Sequence, residues 1–77
     1  THAGAELDLL VFRDGQPIGF EIKRTASPKM TPSMRTSLSD LNLVKLLVIH
    51  AGEHTFPLHE KIIAVPLSQL RQYLETI

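Results

Sequence analysis

The pattern of hydrophobic and polar positions divides the chain into short strands and helices. Residues 6–12 (Glu-Leu-Asp-Leu-Leu-Val-Phe) are rich in branched and aromatic side chains and predict a strand. Residues 16–23 (Gln-Pro-Ile-Gly-Phe-Glu-Ile-Lys) alternate apolar and polar with period two and predict a second. Asp14-Gly15 between them supplies the positive backbone angles of a two-residue hairpin turn. Pro17 has no N–H for a ladder, so that side of its backbone should face away from the partner strand. Residues 24–33 are polar, contain Pro28 and Pro32, and read as a loop. Thr31-Pro32 reads as the N-cap and first residue of a helix that ends near Asn42, with Met34, Leu38 and Leu41 along one face. Residues 43–49 are nearly all apolar and suit a strand buried on both faces. Strand, helix and strand in succession predict a right-handed crossover between parallel neighbours. Residues 50–60 hold Gly52, Pro57 and three of the four histidines and read as a loop or weak edge. Residues 61–65 predict a short strand that Pro66 ends, and Leu67, Leu70, Leu74 and Ile77 mark the inner stripe of a terminal helix. The predicted order is β-β-α-β-β-α, an α/β or α+β fold in one domain over residues 1–77.

The hairpin turn fixes what faces what. With Arg13 opposite Gln16, Val11 meets Ile18, Leu9 meets Phe20 and Leu7 meets Ile22, which gives one apolar face. The other face pairs Glu6 with Lys23 and Asp8 with Glu21, then Leu10 with Gly19 and Phe12 with Pro17 nearer the turn. Opposed side chains have Cβ atoms about 4.5–5.5 Å apart, and like charges in that position destabilise a sheet. A divalent cation relieves this repulsion, since Mg²⁺ takes oxygen ligands from one or two carboxylates and keeps several waters. Lys23 lies two residues beyond Glu21 on the same face, placed to orient a water or to stabilise charge on a phosphate. The blander reading is a solvated strand face on which Glu6 and Lys23 form a surface ion pair worth at most about 1 kcal/mol. It leaves the opposed carboxylates unexplained.

Composition narrows the function classes. The chain has 77 residues, 43% hydrophobic and 21% charged, as a globular domain requires. It has no cysteine, which excludes disulfide scaffolds and thiolate metal sites. No apolar run approaches the roughly 20 residues of a membrane helix, so the expectation is a cytoplasmic protein with no membrane partner. Eight basic residues balance eight acidic ones, so any case for nucleic acid must be local. Such a locality exists: Lys23, Arg24, Lys29 and Arg35 lie in a stretch with no acidic residue, placed to contact phosphate beside the carboxylates or to form an ordinary solvated loop. His50, His54 and His59 have spacings that fit no clear helix and read as loop histidines. No Ser-His-Asp arrangement and no glycine-rich phosphate loop can be read. The chain starts at Thr1 and enters a strand pattern at once, which suggests the C-terminal part of a longer protein. The apolar hairpin face exceeds what the 34–41 helix can cover, so self-association as a homo-oligomer is expected.

At the hairpin the chain resembles the PD-(D/E)XK, or restriction-endonuclease-like, nuclease superfamily. Asp8 followed by Glu21-Ile22-Lys23 on the next strand matches its Asp…Glu-x-Lys signature. More narrowly, Gly4-Ala5-Glu6-Leu7-Asp8, Glu21-Ile22-Lys23-Arg24 and the closing Ala64-Val65-Pro66-Leu67-Ser68-Gln69-Leu70 look like the C-terminal domain of unknown function carried by many prokaryotic AAA-type ATPases. The resemblance implies a truncated restriction-endonuclease-like fold and a metal-dependent endo- or exonuclease acting on nucleic acid, above all DNA. It implies Mg²⁺ or Mn²⁺ held by Asp8, Glu21 and the backbone carbonyl of Ile22, with Lys23 as the catalytic lysine and Glu6 accessory. Arg24, Lys29 and Arg35 would contact phosphates, and an ATPase domain would precede Thr1. Leu7 stands where the signature has proline, and the helix and strand that precede the Asp strand in the superfamily have no counterpart here. The alternative is a non-catalytic regulatory, docking or oligomerisation domain on the same fold.

Overall fold

The computed structural model describes residues 7–77. It contains β1 (Leu9–Arg13), β2 (Gln16–Ile22), α1 (Pro32–Asp40), β3 (Lys45–His50), β4 (Phe56–His59) and β5 (Ile62–Pro66). A 3₁₀ turn (Leu67–Gln69) then leads into α2 (Leu70–Leu74). The five strands form one mixed sheet in the order β1-β2-β3-β5-β4, with β2, β3 and β5 parallel and β1 and β4 antiparallel at the two edges. The fold is mixed α/β, as the sequence pattern predicts, with one strand more than the predicted order: of the two readings of residues 50–60, loop or weak edge, Phe56–His59 takes the second. Pro57 speaks against a central strand, but an edge strand tolerates a missing donor, and the register shifts between Pro57 and His59.

The Asp14-Gly15 turn has φ of 54° and 77° and sets the predicted register, with Leu9 opposite Phe20, Val11 opposite Ile18 and Arg13 opposite Gln16. The Pro17 carbonyl accepts the Val44 N–H, which joins the hairpin to the start of β3. The Thr31 hydroxyl accepts the Met34 N–H and Pro32 opens α1, as expected of that pair. Asn42 ends the helix at φ 52°, and the Leu43 N–H returns to the Leu38 carbonyl.

β3 is the centre of the core, because Leu46, Leu47, Val48 and Ile49 are all buried. On the α1 side, Met34, Leu43, Leu46, Val48 and Ile62 pack together with Leu38 and Leu41. On the α2 side, Ile18, Leu47, Ile49 and Val65 pack with Phe20, Leu70, Tyr73, Leu74 and Ile77. The terminal stripe is therefore Leu70, Tyr73, Leu74 and Ile77; Leu67 is exposed, because the chain is still in the 3₁₀ turn there.

Two placements at the hairpin base differ from the pattern. Leu7 packs on the α1 side, its Cδ atoms against Gly19, and not on the Leu9–Val11 face. The Asp8 N–H bonds to the Phe20 carbonyl, although Phe20 is already opposite Leu9, so two residues of this strand share one partner. That is the geometry of a bulge, and it shifts the alternation by one position. The expected Glu6–Lys23 pairing lies outside the described residues.

Candidate functional site

The site is built where β2 ends. Strict alternation along β2 sends Phe20 and Ile22 to the α2 side and Glu21 to the α1 side, across from Val48. Glu21 is buried in spite of its charge. Its Oε2 has no hydrogen-bond donor, and the Lys23 ammonium sits 3.3 Å away, within ion-pair range but not aligned as a hydrogen bond. The Lys23 backbone is held by its N–H bond to the Ile49 carbonyl, while its side chain is partly exposed.

Asp8 enters the same corner from β1. Its Oδ2 accepts the Ile22 N–H at 2.7 Å, a charge-assisted bond that takes the place of the next ladder rung. The bulge turns the residue toward the cavity on the α2 side, where Asp8 is part of the rim with Leu9 and Ile22. Asp8 and Glu21 therefore flank the last peptide of β2 rather than lying side by side on one face, as the unbroken register would have them. Among the described residues no three His, Cys, Asp or Glu side chains gather as a metal cluster. The donors nevertheless fit a hard dication in type, with oxygen ligands only, one of them a buried carboxylate oxygen that receives no hydrogen bond.

Arg24 and Lys29 are exposed on the loop that follows Lys23, and Arg35 is exposed on α1. This loop is tied to the one after β3, because the Ala51 N–H bonds to the Thr25 carbonyl. Gly52 is required at this contact, since a Cβ there would meet the Ala26 carbonyl oxygen at 2.5 Å. His50, at the end of β3, is buried; its Nδ1 accepts the Gly52 N–H and its Nε2 lies 3.0 Å from the His54 carbonyl. Both ring nitrogens are thus engaged by backbone, and His54 contributes a carbonyl rather than an imidazole. The spacing of the histidines gave no warning of this packing role. Gln69 locks the same loop from below, donating to the Glu53 carbonyl and accepting from the Thr55 hydroxyl.

The second feature is an apolar cavity of about 610 Å³ between the β1–β2 hairpin and α2. Val11, Ile18, Phe20, Leu70 and Leu74 line it, and the Arg13 guanidinium spans one end by donating to the Leu74 carbonyl. Among the described residues no helix is long and apolar enough to cross a membrane.

A family model for a domain of unknown function (DUF4143) matches residues 1–70. The uncharacterized proteins Rv2008c of Mycobacterium tuberculosis and Mb2031c of Mycobacterium bovis are each 50% identical over 70 residues. That stretch is 91% of this chain and 16% of each relative, so the chain spans about one-sixth of the length of the curated relatives it matches. No solved structure matches the chain.

Proposed function

Since this chain belongs to the DUF4143 family of domains of unknown function, its chemistry has to be argued from its own residues, and we propose that it is a metal-dependent nuclease domain of the PD-(D/E)XK type. The observation that carries the reading is Glu21, a buried carboxylate whose Oε2 accepts no hydrogen bond and lies beside the Lys23 ammonium. Burying a charge costs several kcal/mol unless it is well paired, and the Lys23 contact, which makes no aligned hydrogen bond to Oε2, is incomplete compensation. A structural role alone would be met by an apolar residue at this position.

Glu21 would hold Mg²⁺ or Mn²⁺ with the Ile22 carbonyl and waters, and Asp8, which faces the other side of the sheet with its Oδ2 on the Ile22 N–H, would join as a ligand only after turning off that bond. The cation supplies Lewis-acid polarisation of phosphate and lowers the pKa of water. Lys23 orients the nucleophilic water and stabilises the negative charge that develops on the phosphate as the bond breaks. Arg24, Lys29 and Arg35 hold the flanking phosphates of a nucleic acid, DNA in this proposal, and add affinity without reading sequence. The greater length of the relatives leaves room for an ATPase domain coupled to this one in the cytoplasm.

The test is nicking of supercoiled and single-stranded DNA with Mg²⁺ or Mn²⁺, comparing the wild type with Glu21→Gln and Lys23→Ala. Slow metal-dependent cleavage, reduced about 10²-fold in both variants, is expected. Cleavage indifferent to both substitutions would reject the site. Absence of cleavage would favour the second reading, a non-catalytic docking or oligomerisation domain. That reading is supported by Asp8, whose carboxylate is engaged by the Ile22 N–H.

A further inference from the structure

The two edges of the sheet are built differently. β4 has four residues, includes Pro57 and has a shifted register, three features that discourage further pairing. β1 has no proline and its register with β2 is unbroken from Leu9 to Arg13: it reads Leu-Leu-Val-Phe-Arg, every residue is exposed, and nothing covers its outer side among the described residues. Leu9 is 54% exposed and Phe12 65%, and they lie on opposite faces of the strand. An apolar edge of this kind is a template for another strand.

We propose that the occupant is the same strand of a second copy, paired antiparallel about a two-fold axis through Val11. The hairpin fixes the geometry. Arg13 and Gln16 flank a two-residue turn and exchange backbone bonds, so Arg13, Val11 and Leu9 direct their N–H and C=O groups toward β2. Leu10 and Phe12 therefore direct theirs outward. Centring the axis on Val11 sets Leu10 opposite Phe12 of the other copy, twice, with about four new backbone hydrogen bonds. The same register brings Arg13 of each copy opposite Leu9 and next to Asp8 of the other, so opposite charges meet at both ends. Arg13 keeps free donors for this contact, because its bond to the Leu74 carbonyl uses one guanidinium nitrogen. The two five-stranded sheets become one, and the cavities on their α2 sides meet across the axis. The strip is smaller than the roughly 800 Å² per partner of a standard interface, so the dimer dissociates on dilution.

The experiment combines sedimentation with cross-linking. The chain has no cysteine, so single cysteines can be introduced cleanly. Val11 and its symmetry mate form a non-hydrogen-bonded pair with Cα atoms about 4.5 Å apart, within disulfide range. Val11→Cys should oxidise to a covalent dimer at least about tenfold faster than Ser39→Cys on the exposed side of α1. The wild type should show a concentration-dependent monomer–dimer equilibrium that Phe12→Lys shifts to monomer with an unchanged far-UV circular dichroism spectrum. A monomer at every concentration would overturn the proposal. So would a dimer that survives Phe12→Lys and leaves Val11→Cys no faster than the control.

Discussion

Lys23 and Gly52 show how single residues hold the candidate site together. Removing the ammonium in Lys23→Met leaves Glu21 buried and uncompensated. The expected loss is about 1–3 kcal/mol, read as a fall in melting temperature of roughly 4–8 °C per kcal/mol for a domain of this size. Glu21→Gln removes the charge and keeps the shape, so in combination with Lys23→Met it should recover part of that loss; an additive result would show that the two side chains do not interact. Gly52→Ala drives a Cβ into the Ala26 carbonyl, with His50 Nδ1 at 3.0 Å on the other side. About 1–3 kcal/mol of destabilisation is expected in a denaturant melt, because neither neighbour is a flexible side-chain end. At this scale the sequence was only partly legible. Glu21 and Lys23 meet on one face because alternation along β2 is unbroken. Asp8 does not share that face, because a bulge is a one-residue event with no hydrophobic signature. The backbone anchoring of His50 was likewise hidden, since it depends on where two loops meet.

At the scale of elements, local chemistry decided most of the fold. The Asp14-Gly15 turn, the Thr31-Pro32 cap and the apolar run of β3 each specify their element without help from distant residues. Thr31→Ala should cost about 1 kcal/mol, measured by thermal unfolding, because it leaves the Met34 N–H without its acceptor. An unchanged melting temperature would mean that α1 is held by Met34 and Leu38 packing alone. Gly15→Ala tests the hairpin in the same way: at φ 77° a Cβ is strained although nothing crowds it, and a loss of about 1–2 kcal/mol is expected. β4, which the sequence marks only as a loop or weak edge, is held by pairing with β5 rather than by its own propensity, and the side of the sheet that each helix covers is likewise not set by local pattern. The apolar face of the hairpin lies under α2, and α1 covers the opposite face.

The molecule as a whole places a buried acidic residue and its lysine at the carboxyl end of β2, beside the loops that follow β2 and β3. In open α/β sheets that end is where ligands bind. The exposed Arg24 and Lys29 on the adjoining loop add two positive charges at this end. The proposed role of Glu21 as a metal ligand is measured by titrating the chain with Mn²⁺ and following electron paramagnetic resonance. The wild type should bind one ion, with Mg²⁺ competing, and Glu21→Gln should weaken binding at least about tenfold while the fold, followed by circular dichroism, is retained. Equal Mn²⁺ affinity in the wild type and in Glu21→Gln, or no binding by either, would contradict it.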